Sequence, residues 1–389
     1  MTEKILKDLI VIASSTILIT LAIWIPHIFR MNFYNLNFSN GFDGIYRNFD
    51  GLEYIIIAKS FYNPEIIKQL PQHLPVEYYA AHFPGFALFI LLFAPLLGFL
   101  KSMLFVSLLF TVLSAIAFYF LVKDFKLTLH PLYLSLIFLI LPARWLIVHS
   151  VGSAEPMFIF FLIATIYFFM KFEENHKPLF LYASGIFGFL TQFTRPPGIL
   201  IFVAFILYLL WKLIFKEKEL FFKKLFKLVL TYFPLLLIPF SLLLVFYWYH
   251  LIFNDFFAYF HSGDNIHLSF PPFQVFNKNQ FWVGEIWLED IVYILLLTIF
   301  GSLLLIKQKL FPIAFFTLTY ILATVFVAHR DISRYILPVF PFMLIAFEKV
   351  LVSKEFKIAL LLISLGIYLY AQNFLIENIA PVSNIGALN

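Results

Sequence analysis

Apolar and polar positions along this chain fall in blocks rather than alternating residue by residue. Runs of Phe, Leu and Ile close to the ~20 residues needed to cross a hydrocarbon core as a helix are separated by short clusters of Lys, Glu, Asn and His. Spanning segments are predicted near 8–26, 84–100, 102–122, 129–148, 156–171, 179–193 and 197–215 in the first part of the chain. The second part adds 228–250, 290–306, 310–328, 333–348 and 356–374. Strands of a membrane barrel would show alternation over about ten residues, whereas Leu200 to Trp211 is apolar throughout. The pattern therefore predicts an all-α polytopic membrane protein with about eleven or twelve transmembrane helices. With no fixed-period repeat and no low-complexity linker, a single membrane domain over 1–389 is expected.

Charge orients these segments. Lysines gather at Lys4 and Lys7, Lys123 and Lys126, Lys171 and Lys177, Lys216 to Lys227, Lys307 and Lys309, and Lys349 to Lys357. The positive-inside rule places those connections in the cytoplasm and the others outside: 27–83, 144–155, 194–197, 251–289 and 329–334. Core helices then occupy 84–250 and C-terminal helices 290–389. Two full crossings between Pro84 and Val122 would return Lys123 and Lys126 to the outside. Either one of those two segments is re-entrant or lies along the surface, or the charge rule fails around Lys101. The first apolar run, Ile10 to Ile25, lacks a small-residue cleavage site and reads as a retained anchor.

Composition agrees and narrows the classes. Hydrophobic residues make up 62% of the 389 and charged ones 13%, with a mean hydropathy of +0.93, so lipid is the main solvent. The net charge of +5 is spread among short loops, as orientation signals are, which argues against nucleic acid. There is no cysteine, hence no disulfide, thiolate metal site or cysteine nucleophile.

Two outward connections exceed the length of a turn, as functional loops do. The first carries Asp43, Asp50, Glu53, Glu65 and Glu77, and Glu53 to Tyr62 reads as a surface-lying helix. The second carries Asp255, His261, Asp264, His267, Glu285 and Trp287. Asp50 precedes the apolar run Tyr54 to Ala58 and fits an N-cap, with Glu53 completing a capping box. The same position suits a general base acting on an acceptor hydroxyl. His82 stands just before Pro84, either as an interfacial residue at a helix start or as a hydrogen-bonding partner of substrate. Arg144 lies a turn inside an apolar run, where it either snorkels or meets a partner. Glu155 precedes Pro156, at a helix start that favours an acid whatever its role. Arg195 sits between two apolar runs. Arg330 and Arg334, flanking Asp331, form an i, i+4 pair whose guanidinium forks match phosphate oxygens; the alternative is an Arg–Asp surface network.

The order of these elements resembles a known family. Phe49-Asp50-Gly-Leu-Glu-Tyr54, His82-Phe-Pro84, Ser153-Ala-Glu155-Pro and Gly188-Phe-Leu-Thr-Gln-Phe-Thr-Arg195-Pro-Pro-Gly198 together resemble the mannosyltransferases typified by the second mannosyltransferase of GPI-anchor synthesis. More broadly the chain resembles the GT-C superfamily of membrane glycosyltransferases. It has Phe49 where that family has Trp, and His82-Phe-Pro84-Gly-Phe86 in place of a Phe-Phe-Pro-x-Tyr-Pro element. The resemblance covers about the first 200 residues. It implies a GT-C-like bundle with a long outward first loop and a multi-pass place in the plasma membrane. It further implies inverting transfer of a hexose, mannose above all, from a polyprenyl-phosphate donor to a lipid, glycan or protein acceptor. Asp50, with Glu53 beside it, would be the catalytic carboxylate. Asp43, His82, Arg144, Glu155, Arg195, Arg330, Asp331 and Arg334 would bind substrate, with Arg195, Arg330 and Arg334 neutralising the departing phosphate. No obligatory metal is implied, although Asp43, Asp50 and Glu53 offer oxygen ligands to a divalent cation. The rival readings are a lipid-linked oligosaccharide flippase or other transporter, and an O-antigen polymerase or ligase.

Overall fold

The computed structural model describes residues 3–215, 221–263, 268–280, 282, 287–382 and 384–389; the side chains of 221–225 and 287 are not described. Asp264, His267, Glu285 and residues 216–220 of the Lys216 to Lys227 run lie outside the described residues. The chain is a helical membrane protein. Its principal helices are α1 (Glu3–Ile28), α2 (Gly51–Ser60), α3 (Gly85–Leu97) and α4 (Phe99–Asp124), followed by α5 (Glu155–Asn175), α6 (Pro178–Thr194) and α7 (Ile199–Phe215). Then come α8 (Phe221–Tyr232), α9 (Leu237–Phe253), α10 (Trp287–Lys307), α11 (Phe311–Thr324), α12 (Phe340–Ala346) and α13 (Lys354–Glu377). Shorter turns connect them.

Seven helices among the described residues are long and apolar enough to cross a bilayer: Glu3–Ile28, Phe99–Asp124, Glu155–Asn175, Pro196–Phe215, Phe226–Phe253, Leu288–Lys307 and Lys354–Glu377. Several other segments expected to cross are shorter. Pro142 divides 129–148 into Pro131–Phe138 and Ala143–Val148. The 333–348 segment is likewise broken, at Pro338, into a helical turn, a 3-10 turn and α12. Proline removes a backbone donor and clashes with the preceding turn, which hydropathy alone does not register.

The described residues form two compact units. The first comprises Met1–Phe160, Trp248–Ser262 and Glu348–Asn389. Helix α3 has 13 residues, a rise of about 20 Å against a ~30 Å core. It runs alongside α2: Phe86 at its start makes an edge contact with Tyr54, and just beyond its end Lys59 lies 4.5 Å over the ring of Phe99. Of α3 and α4, only α4 is long and apolar enough to cross. The hydroxyl of Tyr119 near the end of α4 donates to Asp8 near the start of α1 at 2.6 Å. Close by in sequence, Thr128 donates to Glu348 at 2.7 Å and Lys357 lies over Tyr133. Lys123 and Lys126 therefore share an end of the unit with Lys4, Lys7 and the 349–357 lysines. A single crossing by α4 is consistent with the charge rule around Lys123.

The same unit corrects the reading of 53–62. Helix α2 is no surface helix: Gly51 to Ala58 are all buried, and Ile55, Ile56 and Ile57 are 0 to 2% exposed. An apolar run without a polar stripe has no face to offer water, so it is stable only where neighbours cover it all round.

The second unit comprises Phe161–Tyr247 and Gly263–Phe347. In it α7 and α11 pack closely, with the rings of Trp211 and Phe311 4.5 Å apart. Glu173 accepts hydrogen bonds from Lys212 (2.7 Å), Tyr208 (2.8 Å) and Tyr232, tying α5, α7 and α8 together. Part of the second long loop pairs with the segment before Arg330, where Ser269 N donates to Phe326 O at 2.7 Å.

Candidate active site

In the first unit one end of the helices gathers six of the ten residues singled out in the sequence. Asp50 takes the N-cap position of α2 as expected, but its side chain makes no cap hydrogen bond and no capping box forms. With φ −92° and ψ 19° it departs from the extended backbone that aims a cap side chain at the helix N–H groups. The carboxylate instead lies 3.9 Å, Oδ2 to Nε2, from His82. The Asp50 side chain is 28% exposed and that of His82 only 6%.

His82 is held on all sides. Its ring meets Tyr54 edge-on at 5.2 Å and lies 5.3 Å from the ring of Tyr78. Its carbonyl accepts from the hydroxyls of Tyr62 (2.7 Å) and Tyr249 (3.3 Å), both fully buried. Burial keeps the Tyr62 phenol well above its ordinary pKa, so it acts as a donor throughout the physiological range.

Phe49 explains how Asp50 is turned. It has φ +50°, the left-handed region in which a bulky residue is strained by about 1–3 kcal/mol unless its surroundings impose the conformation. Its ring stacks on Phe374 at 5.5 Å, and the Arg144 guanidinium lies 3.9 Å over Phe374 and 5.7 Å from Phe49. Arg144, half-buried, thus shares its aromatic support with the residue next to Asp50.

The next residue, Gly51, seats the start of α2 on the 149–155 turn. A Cβ at Gly51 would come within 2.8 Å of the Gly152 carbonyl, and one at Gly152 within 2.3 Å of Met103 Sδ. The turn is itself pinned: Trp24 Nε1 donates to Ser150 O at 2.7 Å, and Ser107 Oγ to Ser153 O at 3.1 Å. Glu155 begins α5, fully buried, and accepts a hydrogen bond from Ser153 Oγ. Glu53 is 4% exposed inside α2. Burial and the nearby Glu53 carboxylate raise the Tyr79 phenol above its ordinary range. Asp43 is exposed, at the start of the short helix Asp43–Tyr46. Among the described residues no group of three or more His, Asp or Glu stands ready to hold a metal ion.

Neither protein-family models nor curated proteins match the chain.

The other four residues belong to the second unit. Arg195 ends α6 in an extended conformation and is half-buried. Arg330 is exposed and precedes the four-residue helix Ile332–Tyr335, whereas Arg334 lies within that helix and is 7% exposed. The helix begins after Arg330, so of the i, i+4 pair only Arg334 is helical. Asp331 accepts from Ser333 Oγ at 3.4 Å, and its N–H donates to His329 Nδ1 at 2.9 Å.

Sequence reasoning did not single out Tyr62 or Tyr249, which hold the His82 carbonyl, or Phe374, on which Phe49 stacks. Aromatics are so frequent here, at 21%, that no single ring stands out in the sequence.

Proposed function

We propose that this protein is a membrane glycosyltransferase that moves a hexose, mannose being the first candidate, from a polyprenyl-phosphate donor to a hydroxyl acceptor with inversion. The observation that carries the proposal is the Asp50 carboxylate: half-exposed at the start of a buried helix, turned away from capping, and 3.9 Å from a buried histidine. A base for an acceptor hydroxyl needs that combination of fixed position and access. In the proposed reaction the acceptor oxygen attacks the anomeric carbon as the bond from that carbon to the carrier phosphate breaks. The acceptor proton passes to Asp50, with His82 beside it to stabilise the carboxylate, and the phosphate leaves as a stable anion that requires no strong acid. Arg144, the one candidate arginine of this unit, is the proposed counter-charge for that phosphate. The proposed site faces outward, because the positive-inside rule puts the lysine-rich end in the cytoplasm and the Asp50 end lies opposite, and the plasma membrane is the proposed location.

The test is turnover by purified protein in proteoliposomes supplied with radiolabelled polyprenyl-phosphate hexose. Release of the label to acceptor or water is expected, together with its loss in Asp50→Asn at unchanged expression and monodispersity. Wild-type turnover in the Asn variant would sink the assignment.

A further inference from the structure

Asn48, two residues before Asp50, has 0% exposure and a side chain bonded in three directions. Its Nδ2 donates to Gly44 O at 2.7 Å and to Leu375 O at 2.9 Å, and its Oδ1 accepts from Asn378 Nδ2 at 3.3 Å. Two carbonyl acceptors require the NH2 group on that side, so the amide has one orientation and neither Asp nor Leu reproduces it. The backbone repeats the link: Asn48 bridges to Ile379, and Ala380 N donates to Arg47 O at 2.8 Å. Beyond this the segment 378–389 reaches the other end of α2, where Lys59 Nζ lies 3.5 Å from Ala387 O and 3.3 Å from Asn389 O. The helix that carries Asp50 is thus tied at both ends to residues following α13.

From these contacts we infer that Asn48 is the positioning residue for Asp50, and that it acts by fastening the first loop to the end of α13. Phe49, strained at positive φ between Asn48 and Asp50, transmits that anchorage: with Asn48 fixed on one side and Gly51 seated on Gly152 on the other, the Asp50 carboxylate has little freedom. Without the Asn48 bonds the Phe49 backbone relaxes toward negative φ and Asp50 swings with it. A displacement of about 1 Å at a reacting group costs up to ~100-fold in rate. The inference rests on the reading of Asp50 as the base.

The experiment compares Asn48→Ala, Asn48→Asp and Asn378→Ala in the full chain, reconstituted in proteoliposomes with polyprenyl-phosphate hexose. Asn48→Ala is expected to lower kcat by about 10- to 100-fold with KM within about twofold, and Asn48→Asp to lower it further. Asn378→Ala, which loses only the 3.3 Å bond, should lower kcat severalfold. Amide exchange measured without substrate should quicken over 44–52 while α4 stays protected. Wild-type kcat in a folded Asn48→Ala, or a raised KM with kcat retained, overturns the inference. Should both Asn48 variants fail to fold, wild-type kcat in Asn378→Ala overturns it instead. If Asp50→Asn is active, the catalytic reading fails, and the inference with it; if Asp50→Asn is inactive while the Asn48 variants turn over normally, the inference alone fails.

Discussion

His82 Nε2 faces Asp50 Oδ2 across 3.9 Å, and the two reach that distance from opposite directions. Asp50 arrives at the start of α2, and His82 at the end of the 3-10 turn Val76–Ala81. The separation is longer than a direct hydrogen bond and suits one bridging water or a substrate hydroxyl. If His82 supports the base, His82→Gln lowers kcat by about 10- to 100-fold, and its pH profile loses the limb that depends on imidazole ionisation. A His82→Gln variant retaining that limb would show that it belongs to another group.

The two tyrosine hydroxyls on the His82 carbonyl are separable from their packing. Tyr249→Phe keeps the ring contacts with Tyr62 and Phe253 and removes the 3.3 Å bond together with the hydroxyl's bond to Tyr62. Tyr62→Phe removes the 2.7 Å bond. Each change should cost about 1 kcal/mol in stability, and the double variant should lower kcat more than either single one, because the carbonyl then loses both donors. Equal turnover in all three would detach the carbonyl clamp from function.

Gly51 and Gly152 predict different outcomes from one added methyl. At Gly152 all three nearest atoms belong to the flexible Met103 side chain, whereas at Gly51 one is the Gly152 backbone carbonyl at 2.8 Å. Gly152→Ala should cost about 1–3 kcal/mol and be relieved by Met103→Ala. Gly51→Ala should not be relieved by Met103→Ala, because backbone cannot give way. Thermal unfolding of the four variants in detergent decides it.

His149 sets a pH limit on stability. Burial keeps its imidazole neutral and lowers its pKa from 6.5 to about 4, against the opposing effect of its hydrogen bond to Leu139 O at 2.9 Å. Between those values the unfolded chain binds a proton that the folded chain does not. Stability is therefore complete above pH ~6.5 and declines as pH falls toward 4, by on the order of 3 kcal/mol. His149→Gln should unfold with a pH slope smaller by about one proton across that window; an unchanged slope would assign it elsewhere.

The absence of cysteine allows the end-to-end assignment to be tested without a background. Single cysteines at Glu3, Leu129 and Lys354 should label from one face of the membrane, and those at Asp43 and Asn384 from the other. Labelling of Leu129→Cys together with Asp43→Cys would restore α3 as a crossing helix.

Hydropathy alone determined that this is a helical membrane protein, because a block of about twenty apolar residues has no other stable solvent. Charge placed Lys123 with Lys349 to Lys357, and local chemistry put Asp50 at a helix start and Glu155 at another. Those properties depend on near neighbours in sequence. Only tertiary structure decided that α2 is buried and that Asp50 faces His82 rather than capping its helix. Each outcome turns on contacts between residues far apart in the chain: Asn48 with Leu375, Gly51 with Gly152, Tyr249 with His82. In a sequence where a fifth of all residues are aromatic, composition cannot say which rings meet, and the backbone angle at Phe49 on which Asp50 depends is imposed by that packing.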